Sequence, residues 1–369
     1  LETLRNIYPT IYDFENLHEA YLSARKNKRY RGDVLEFTTR LEENLIQLQN
    51  ELIYKTYQVG RYREFYVYEP KKRLIMALQF RDRVIQWAIY RHLNPWFDKQ
   101  FIYDSYGCRE GKGTHRAANR LQYWMRQVSR KKERYYYLKL DISKYFYRVD
   151  HRVLMDILQR KIEDEDLLEL LDRIVNCEHT AFGLPAFTDP ADCPPEDRLL
   201  DTGMPIGNLS SQLFANIYLN ELDQYAKQEL RLHYYIRYMD DIIILHKDKR
   251  YLREIKDDIE NFLWEKLRLN LNKKTAIRPI SQGIEFVGFR IFTTHRKLKK
   301  SSVKKMKSRL KYVRAAFERG EIDEESLRAT EASYLGVMKH FNSHGLRKAL
   351  GFPPEKPAEG MEVKNIDAI

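Results

Sequence analysis

Cysteine is scarce in this 369-residue chain: Cys108, Cys177 and Cys193 are all there are. Three unclustered thiols cannot make a disulfide framework, so a reducing compartment is expected. Cys177 and Cys193, with His179 between them, fit no standard zinc spacing and read as ordinary thiols. Long apolar runs are also missing. The longest candidate, Ile242 to Leu245, is only strand-length and excludes a membrane-spanning helix. The opening stretch LETLRNIYPTIYDF does not read as a signal peptide, and a cytoplasmic location is expected. Internal repeats are absent. What is present is a globular composition, 43% hydrophobic and 32% charged, with length for two or three units with real cores. Lys+Arg outnumber Asp+Glu by 65 to 53, a net charge of +12. That surplus suggests a polyanionic partner, most commonly nucleic acid. Aromatic residues reach 13%, with 26 Tyr; among basic residues they could stack bases, although most aromatics are core or half-buried.

Residues 1–60 read as helical. Phe14, Leu17, Ala20 and Tyr21 recur at helical spacing, a basic break RKNKRYRG follows at 25–32, and a second helix is expected from Val34 to Tyr54. Two β-rich runs flank Glu69-Pro70-Lys71-Lys72, a hairpin signature. A helix is expected from Arg81 to Leu93, and another after the glycine-rich turn GCREGKGTH (107–115). RYYYLKLD (134–141) reads as a strand, followed by a helix over 150–175. Residues 178–203 hold four prolines and no period, so a loop or small insertion is expected. A helix follows Gly207, then two strand-like runs meet at Met239-Asp240, then a helix spans 250–267. GIEFVGFRIF (283–292) is β-rich. From Arg296 to Arg314 there are ten basic residues and no acidic one, with Val303, Met306, Leu310, Val313 and Phe317 as an apolar stripe. The tail from Gly351 loses periodicity and is expected to be mobile.

Candidate chemistry concentrates in carboxylates. Strand alternation puts Tyr137, Lys139 and Asp141 on one face, with Asp141 where the strand ends. In YMDD (238–241), Asp240 and Asp241 lie between two apolar runs, where a hairpin turn would display them. An Asp-Asp pair also makes an ordinary turn. Two acids beside an Ile-Ile-Ile-Leu strand, however, are costly unless solvated or neutralised by a cation. If the two strands are neighbours, the acids converge, and an all-oxygen ligand set suits Mg²⁺ rather than zinc or copper. Two such ions can activate a hydroxyl and stabilise a leaving phosphate oxygen.

These segments, taken in order, resemble reverse transcriptases over about residues 35–345. LKLDISKYF resembles the first catalytic palm motif, MPIGNLSSQLFANIYLNELD (204–223) the motif that seats template and nucleotide, and YMDD the palm hairpin. NLNKKT (270–275) and IEFVGF (284–289) resemble the two following motifs. KRLIMALQFRDRVIQ (72–86) resembles the fingers motif, and SYGCREGKGTHRA (105–117) the segment after it. Ile206-Gly207 and Ser211-Gln212 replace the Gln-Gly and Ser-Pro of most bacterial and intron-type members. That pattern, with YREFYVYEPKKRLI upstream and HRKLKKSSVKK downstream, is similar to reverse transcriptases of diversity-generating retroelements, which copy a template-repeat RNA into cDNA with errors at adenines. The rival resemblances are a retron-type or phage-defence reverse transcriptase and a catalytically inactive RNA-binding scaffold.

The resemblance implies an α+β right-hand polymerase: a helical extension (1–34), fingers (35–135), an antiparallel-sheet palm (136–295, with the insertion at 178–203), a helical thumb (296–350) and a mobile tail (351–369). It implies RNA-templated addition of deoxynucleotides with two Mg²⁺ ions, and Mn²⁺ as a substitute. Asp141 and Asp240 would ligate the metals, with Asp241 supporting and the Ile142 carbonyl in reach. Lys72, Arg73, Phe146, Ile206, Gly207 and Lys274 would face the incoming nucleotide, Phe146 as the gate against a 2′-OH. Arg81, Arg83, Arg109, Ser211, Gln212, Tyr238, Met239, Gly288, Phe289, Lys304, Lys305 and Lys307 would contact template or primer. The implied partners are template RNA, the RNA/cDNA duplex, deoxynucleotides and a small oligomeric accessory protein, with no membrane. GCREGKG lacks the spacing and the Ser/Thr of a phosphate-binding P-loop, and Ser210-Ser211-Gln212 carries no Ser/His/Asp logic, so ATPase and hydrolase readings are excluded.

Overall fold

The computed structural model describes residues 3–68, 72–177, 180–185, 188–190, 192–273 and 275–354. The expected tight turn at 69–71 and the tail beyond 354 therefore lie outside the described residues. The chain forms two compact units, one of residues 1–113 and 135–278, the other of 114–134 and 279–369.

The first unit begins with four helices, α1 (Tyr8–Ile11), α2 (Phe14–Arg25), α3 (Gly32–Thr39) and α4 (Leu41–Ile53). The single helix expected over 34–54 is two, because Arg40 leaves helical geometry (φ −127°, ψ 47°). Asn44 Nδ2 donates to the Phe37 carbonyl at 2.9 Å, occupying an acceptor freed by the break. Strands β1 (Arg63–Val67) and β2 (Arg73–Ala77) pair antiparallel, as the hairpin signature led us to expect, and α5 (Phe80–Asp98) follows. Strand β3 (Tyr136–Asp141) leads to α7 (His151–Gln159) and α8 (Glu165–Val175); α6 (Thr114–Ser129) belongs to the second unit. The helix expected over 150–175 is interrupted because Asp164 starts a new one. Its carboxylate accepts from Leu167 N at 3.0 Å, and also from the N–H groups of Ile7 and Tyr8 at 2.6 and 2.8 Å. One acid thus caps α8 and ties the start of the chain to it.

Helix α9 (Leu209–Gln224) is followed by β4 (Tyr235–Tyr238), β5 (Asp241–His246), α10 (Lys249–Leu267) and β6 (Ala276–Pro279). The four strands form one sheet in the order β4-β5-β3-β6. Ile242, Ile243 and Ile244 of β5 are all buried, so this central strand is covered on both faces, which explains its unbroken apolar run. The 178–203 segment is stitched down at its described residues. Gly183 and Leu199 exchange backbone hydrogen bonds at 3.0 and 3.1 Å, and Arg198 pairs with Glu64 at 2.7 Å.

The second unit contains α6 (Thr114–Ser129), the antiparallel strands β7 (Ile284–Phe286), β8 (Phe289–Ile291) and β9 (Arg296–Leu298), and helices α11 (Lys300–Glu318), α12 (Glu324–Met338) and α13 (His344–Ala349). Phe286 pairs with Phe289 around Val287-Gly288, both at positive φ (44° and 88°), the backbone of a tight two-residue hairpin. Helix α11 buries Met306, Leu310, Val313 and Ala316. Phe317, expected in that stripe, is 39% exposed; the smaller Ala316, one position earlier, takes the inward place at the same helical period.

One buried ion pair fixes the first unit's sheet. Arg237, on β4, and Asp223, at the end of α9, are both fully buried. Arg237 Nε donates to Asp223 Oδ1 at 2.8 Å and Nη2 to Oδ2 at 2.6 Å, a bidentate fork, while Tyr235 Oη donates to Oδ1 at 2.7 Å. Removing one partner strands a buried charge. Asp223→Ala is therefore expected to lower unfolding free energy by roughly 3–5 kcal/mol in urea, and Arg237→Met with Asp223→Leu to recover much of that loss. An Asp223→Ala variant with unchanged stability would contradict this assignment.

Candidate active site

The carboxylates assemble through strand register. β3 and β5 pair antiparallel so that Asp141 lies directly opposite Asp241, and β4 pairs with β5 so that Tyr238 lies opposite Asp241. Met239 and Asp240 are the two-residue loop between β4 and β5. Ile142 N donates to the Asp240 carbonyl at 3.3 Å, tying the end of β3 to the loop. Asp141, Asp240 and Asp241, far apart along the chain in two segments, therefore share one end of the sheet.

The loop is strained and braced. Met239 has φ +53°, a left-handed value that costs a non-glycine residue about 1–2 kcal/mol. Arg237 Nη1 donates to the Met239 carbonyl at 3.1 Å and to Asn216 Oδ1 at 3.3 Å. Asn216 Nδ2 in turn donates to the Gly107 carbonyl at 2.8 Å. Gly107 lies so close that an added Cβ would sit 2.6 Å from Met239 Cγ. The glycine-rich turn that superficially resembled a P-loop thus supports the hairpin tip.

Charge at the site is unevenly compensated. Lys139, two residues before Asp141 on the same strand face, places Nζ 2.9 Å from both Asp241 oxygens and donates to Oδ2. Oδ1 is buried without a hydrogen bond. Burial pushes the Asp241 carboxyl up to about 6 against the pull of Lys139, and the charges of Asp141 and Asp240 add to the rise. Asp240 is also raised, by burial first and then by Asp141; its own backbone amide, Arg73 and Arg237 oppose the rise. Burial and mutual repulsion of hard oxygen donors, with one oxygen lacking a hydrogen bond, are the conditions a divalent cation relieves, so the residues fit one chemically. Among the described residues, however, no three His, Cys, Asp or Glu side chains are gathered to hold a single ion. Asp241 is engaged by Lys139 instead.

Around this centre the other expected residues distribute unevenly. Arg73 is exposed at the start of β2, and its charge reaches both Asp240 and Tyr147. Lys72 stands over the Tyr66 ring at 4.5 Å. Phe146 is half-buried on a short turn after β3, its carbonyl accepting from Met204 N at 2.7 Å. The Ile206 carbonyl accepts from Met76 N of β2 at 3.4 Å, and a Cβ on Gly207 (φ +115°) would touch Ile75 at 3.4 Å. A cavity of about 180 Å³ beside Gly207 and Ile75 is also lined by Lys28, Arg31, Arg83 and Trp87. Burial, and then Arg83 and Arg31, push the Lys28 ammonium down. Ser211 is buried in α9, with Gln212 and Tyr238 half-buried and Met239 buried. Arg81 pairs with Glu51, both half-buried. Arg109 is wholly occupied, donating to Asp98 at 2.6 Å and to the carbonyls of Ile102, Ser105 and Asp98. Gly288, Phe289, Lys304, Lys305 and Lys307 belong to the second unit, the three lysines on the exposed side of α11. Lys274 lies outside the described residues. Sequence reasoning passed over Arg237 and Asp223; the available signal was an Arg inside an otherwise apolar strand, which demands a buried acid.

The raised Asp241 carboxyl gives a pH prediction. Its folded value, about 6, lies above its ordinary value of 3.8, so the native state holds this proton more tightly than the unfolded chain. Its contribution is present below the unfolded value and is lost as pH rises through the folded one. In chelator-treated protein, Asp241→Asn is therefore expected to gain stability relative to the parent as pH rises from about 4 to about 6, measured as the difference in Tm. A difference independent of pH would refute it.

The sequence family model described as reverse transcriptase (RNA-dependent DNA polymerase) matches residues 68–338, well over half of the chain. Protein YkfC of Escherichia coli K12 is 28% identical over 289 residues, covering 68% of this chain and 72% of YkfC. The group II intron-encoded protein LtrA of Lactococcus lactis subsp. cremoris is 22% identical over 316 residues, covering 68% of this chain and only 50% of LtrA. Among solved structures, telomerase from Candida albicans, in complex with a fragment of telomeric RNA, aligns with a TM-score of 0.47 at 13% identity over 70% of this chain and 51% of that one. The fold class is α+β, helices with antiparallel sheets, of the right-hand polymerase kind. No helix among the described residues is long and apolar enough to cross a membrane. The chain belongs to the reverse transcriptase family and, as an enzyme, is an RNA-directed DNA polymerase.

Proposed function

We propose that this chain is the polymerase of a diversity-generating retroelement, copying a template-repeat RNA into cDNA with errors at adenines. The observation that carries the catalytic part is the Asp141–Asp241 register with Asp240 at the adjoining loop. Divalent ions, Mg²⁺ or Mn²⁺, would supply Lewis acidity at the primer hydroxyl and the departing phosphate oxygen. Asp141 and Asp240 are the residues to hold them, with the Ile142 carbonyl alongside. Lys139 holds Asp241 in a supporting role, steadying the sheet end without competing for the ion. Arg73, exposed and electrostatically coupled to Asp240, binds the triphosphate, with Lys72 beside it and Lys274 a further candidate. Phe146 packs against the sugar and disfavours a 2′-OH. The primer 3′-OH attacks the α-phosphate in line and pyrophosphate leaves.

The cavity beside Gly207 supports a template contact by Arg83. Arg109 is committed inside the fold and Arg81 is half-buried in its pair with Glu51, so neither contacts nucleic acid in this reading. In the second unit, Gly288 and Phe289 belong to the primer grip, and Lys304, Lys305 and Lys307 face the duplex along α11. The fingers (35–135), palm (136–295) and thumb (296–350) assignment belongs to this proposal, as do the small oligomeric accessory protein and a cytoplasmic location.

Loosened base selection is attributed to Ile206. A branched apolar side chain beside Gly207 removes a hydrogen-bonding group from the neighbourhood of the nascent pair, while the Ile206 carbonyl stays tied to β2. The similarity to LtrA favours a second reading, an intron-type polymerase of ordinary fidelity. Two measurements test these statements. In primer extension on an RNA template, Asp240→Asn is expected to slow synthesis by more than about a hundredfold, beyond the cost of losing a metal ligand's outer partner; retained synthesis would overturn the catalytic assignment. Sequencing of cDNA is expected to show fewer misincorporations opposite adenine in Ile206→Gln than in the parent, and an unchanged error spectrum would favour the intron-type reading.

A further inference from the structure

The second unit contains an open cleft of about 420 Å³, lined by α6, the turn from β8 to β9, and the residues that follow α12. Among the described residues, no acidic side chain lines it. Arg126, Arg296 and Lys339 contribute three cations, and His115, His295 and His340 three imidazoles. Among the described residues none of the three cations forms an ion pair.

The two arginines are held in place by neutral acceptors. Arg296 Nη2 donates to Asn119 Oδ1 at 2.6 Å and Gln122 Oε1 at 2.8 Å, and Arg126 Nε donates to the Thr293 carbonyl at 2.8 Å. Amide and carbonyl oxygens orient a guanidinium without neutralising it, so the charge remains available. The His115 and His340 rings stack at 3.8 Å with planes 26° apart. Repulsion inside the cleft is evident: burial and Arg126 lower the Arg296 pKa, and burial, His340 and Arg296 lower that of His115. The imidazoles do not gather as a metal site among the described residues. A cluster of oriented, mutually repelling donors with no carboxylate is a receptor for an anion with several acceptor oxygens, and a tetrahedral phosphate matches the guanidinium forks.

We propose that this cleft is a phosphate subsite that takes a backbone phosphate of nucleic acid bound to this chain. The nucleic-acid source of the phosphate rests on the polymerase reading; the anion chemistry of the cleft does not. About 420 Å³ is more than a lone phosphate fills and leaves room for a flanking sugar. The cleft would hold one point of the bound strand away from the carboxylates, adding affinity and register without reading sequence.

The test uses the full chain in two arms, neither of which requires synthesis. In the first, inorganic phosphate is titrated against chloride at equal ionic strength and constant pH, and histidine ring signals are followed by NMR. Saturable movement of the His115 and His340 signals with phosphate alone is expected. In the second, binding of an RNA/DNA duplex is measured against salt for the parent, Lys339→Gln and Arg126→Gln. Each substitution is expected to flatten the slope of log Kobs against log salt by roughly 0.7–0.9, one phosphate contact. Lys339 is exposed just beyond α12, so its variant separates loss of contact from loss of fold. Phosphate-induced shifts with unchanged slopes would overturn the backbone assignment in favour of a small phosphate-bearing ligand. Absence of any phosphate-specific shift would overturn the site. Loss of synthesis in Asp240→Asn bears only on the catalytic reading and leaves both arms unaffected.

Discussion

The Arg237–Asp223 pair is the interaction on which the candidate active site depends. A fully buried guanidinium is costly, and burial alone would push its charge off; Asp223, by charge and by hydrogen bonds, more than reverses that pressure. What the pair returns is placement. Its fork is saturated on one side by Asp223, and its remaining nitrogen holds the Met239 carbonyl and Asn216. Backbone bonds from Arg237 N to the Asp104 carbonyl and from Tyr106 N to the Arg237 carbonyl fasten the same residue to the 104–107 turn. Three stretches of chain meet at one residue, and the strained hairpin tip carrying Asp240 has little freedom left. Replacing such a pair by apolar residues can preserve stability, but apolar residues cannot hold a carbonyl at the loop.

Lys139 solves a second electrostatic problem. Three carboxylates at the end of one sheet repel one another, and the low dielectric strengthens that repulsion. By neutralising Asp241 from the opposite strand, Lys139 leaves Asp141 and Asp240 as the pair with uncompensated charge, with Arg73 opposing from the β1–β2 hairpin. The division of labour between the acids is therefore built into a diagonal contact: Asp141 lies across from Asp241, and Lys139 lies two residues back on the same face.

Much of this centre was legible in the sequence because it is written in short-range pattern. Period-two alternation placed Lys139 with Asp141, and the apolar runs on either side of Met239-Asp240 announced a hairpin. What periodicity could not convey was pairing across long stretches of chain. Nothing local to Arg109 distinguishes a nucleic-acid contact from an arginine consumed by Asp98 and three backbone carbonyls. Arg81 likewise gives no local sign that Glu51 is its partner. Helix interruptions at Arg40 and before Asp164 escaped for a related reason: the apolar period continues through both, and only the capping acid at 164 marks the second break.

The basic break at 25–32 illustrates how charge can be misread as punctuation. Lys28 and Arg31 interrupt the helices, yet they line the cavity beside Gly207 together with Arg83. After burial, Arg83 and Arg31 push the Lys28 ammonium down; burial and then Arg31 and Arg63 lower Arg83, with Asp33 at 3.8 Å from Arg83 as a partial counterweight. The fold thus keeps cations close together without full neutralisation, which works against the stability of the free protein. Such an arrangement persists when a polyanion supplies the missing charge, because each phosphate then relieves repulsion as well as adding attraction. The net charge of +12 is in this sense local. It is concentrated where arginines, lysines and histidines crowd together, as beside Gly207 and in the cleft around Arg296.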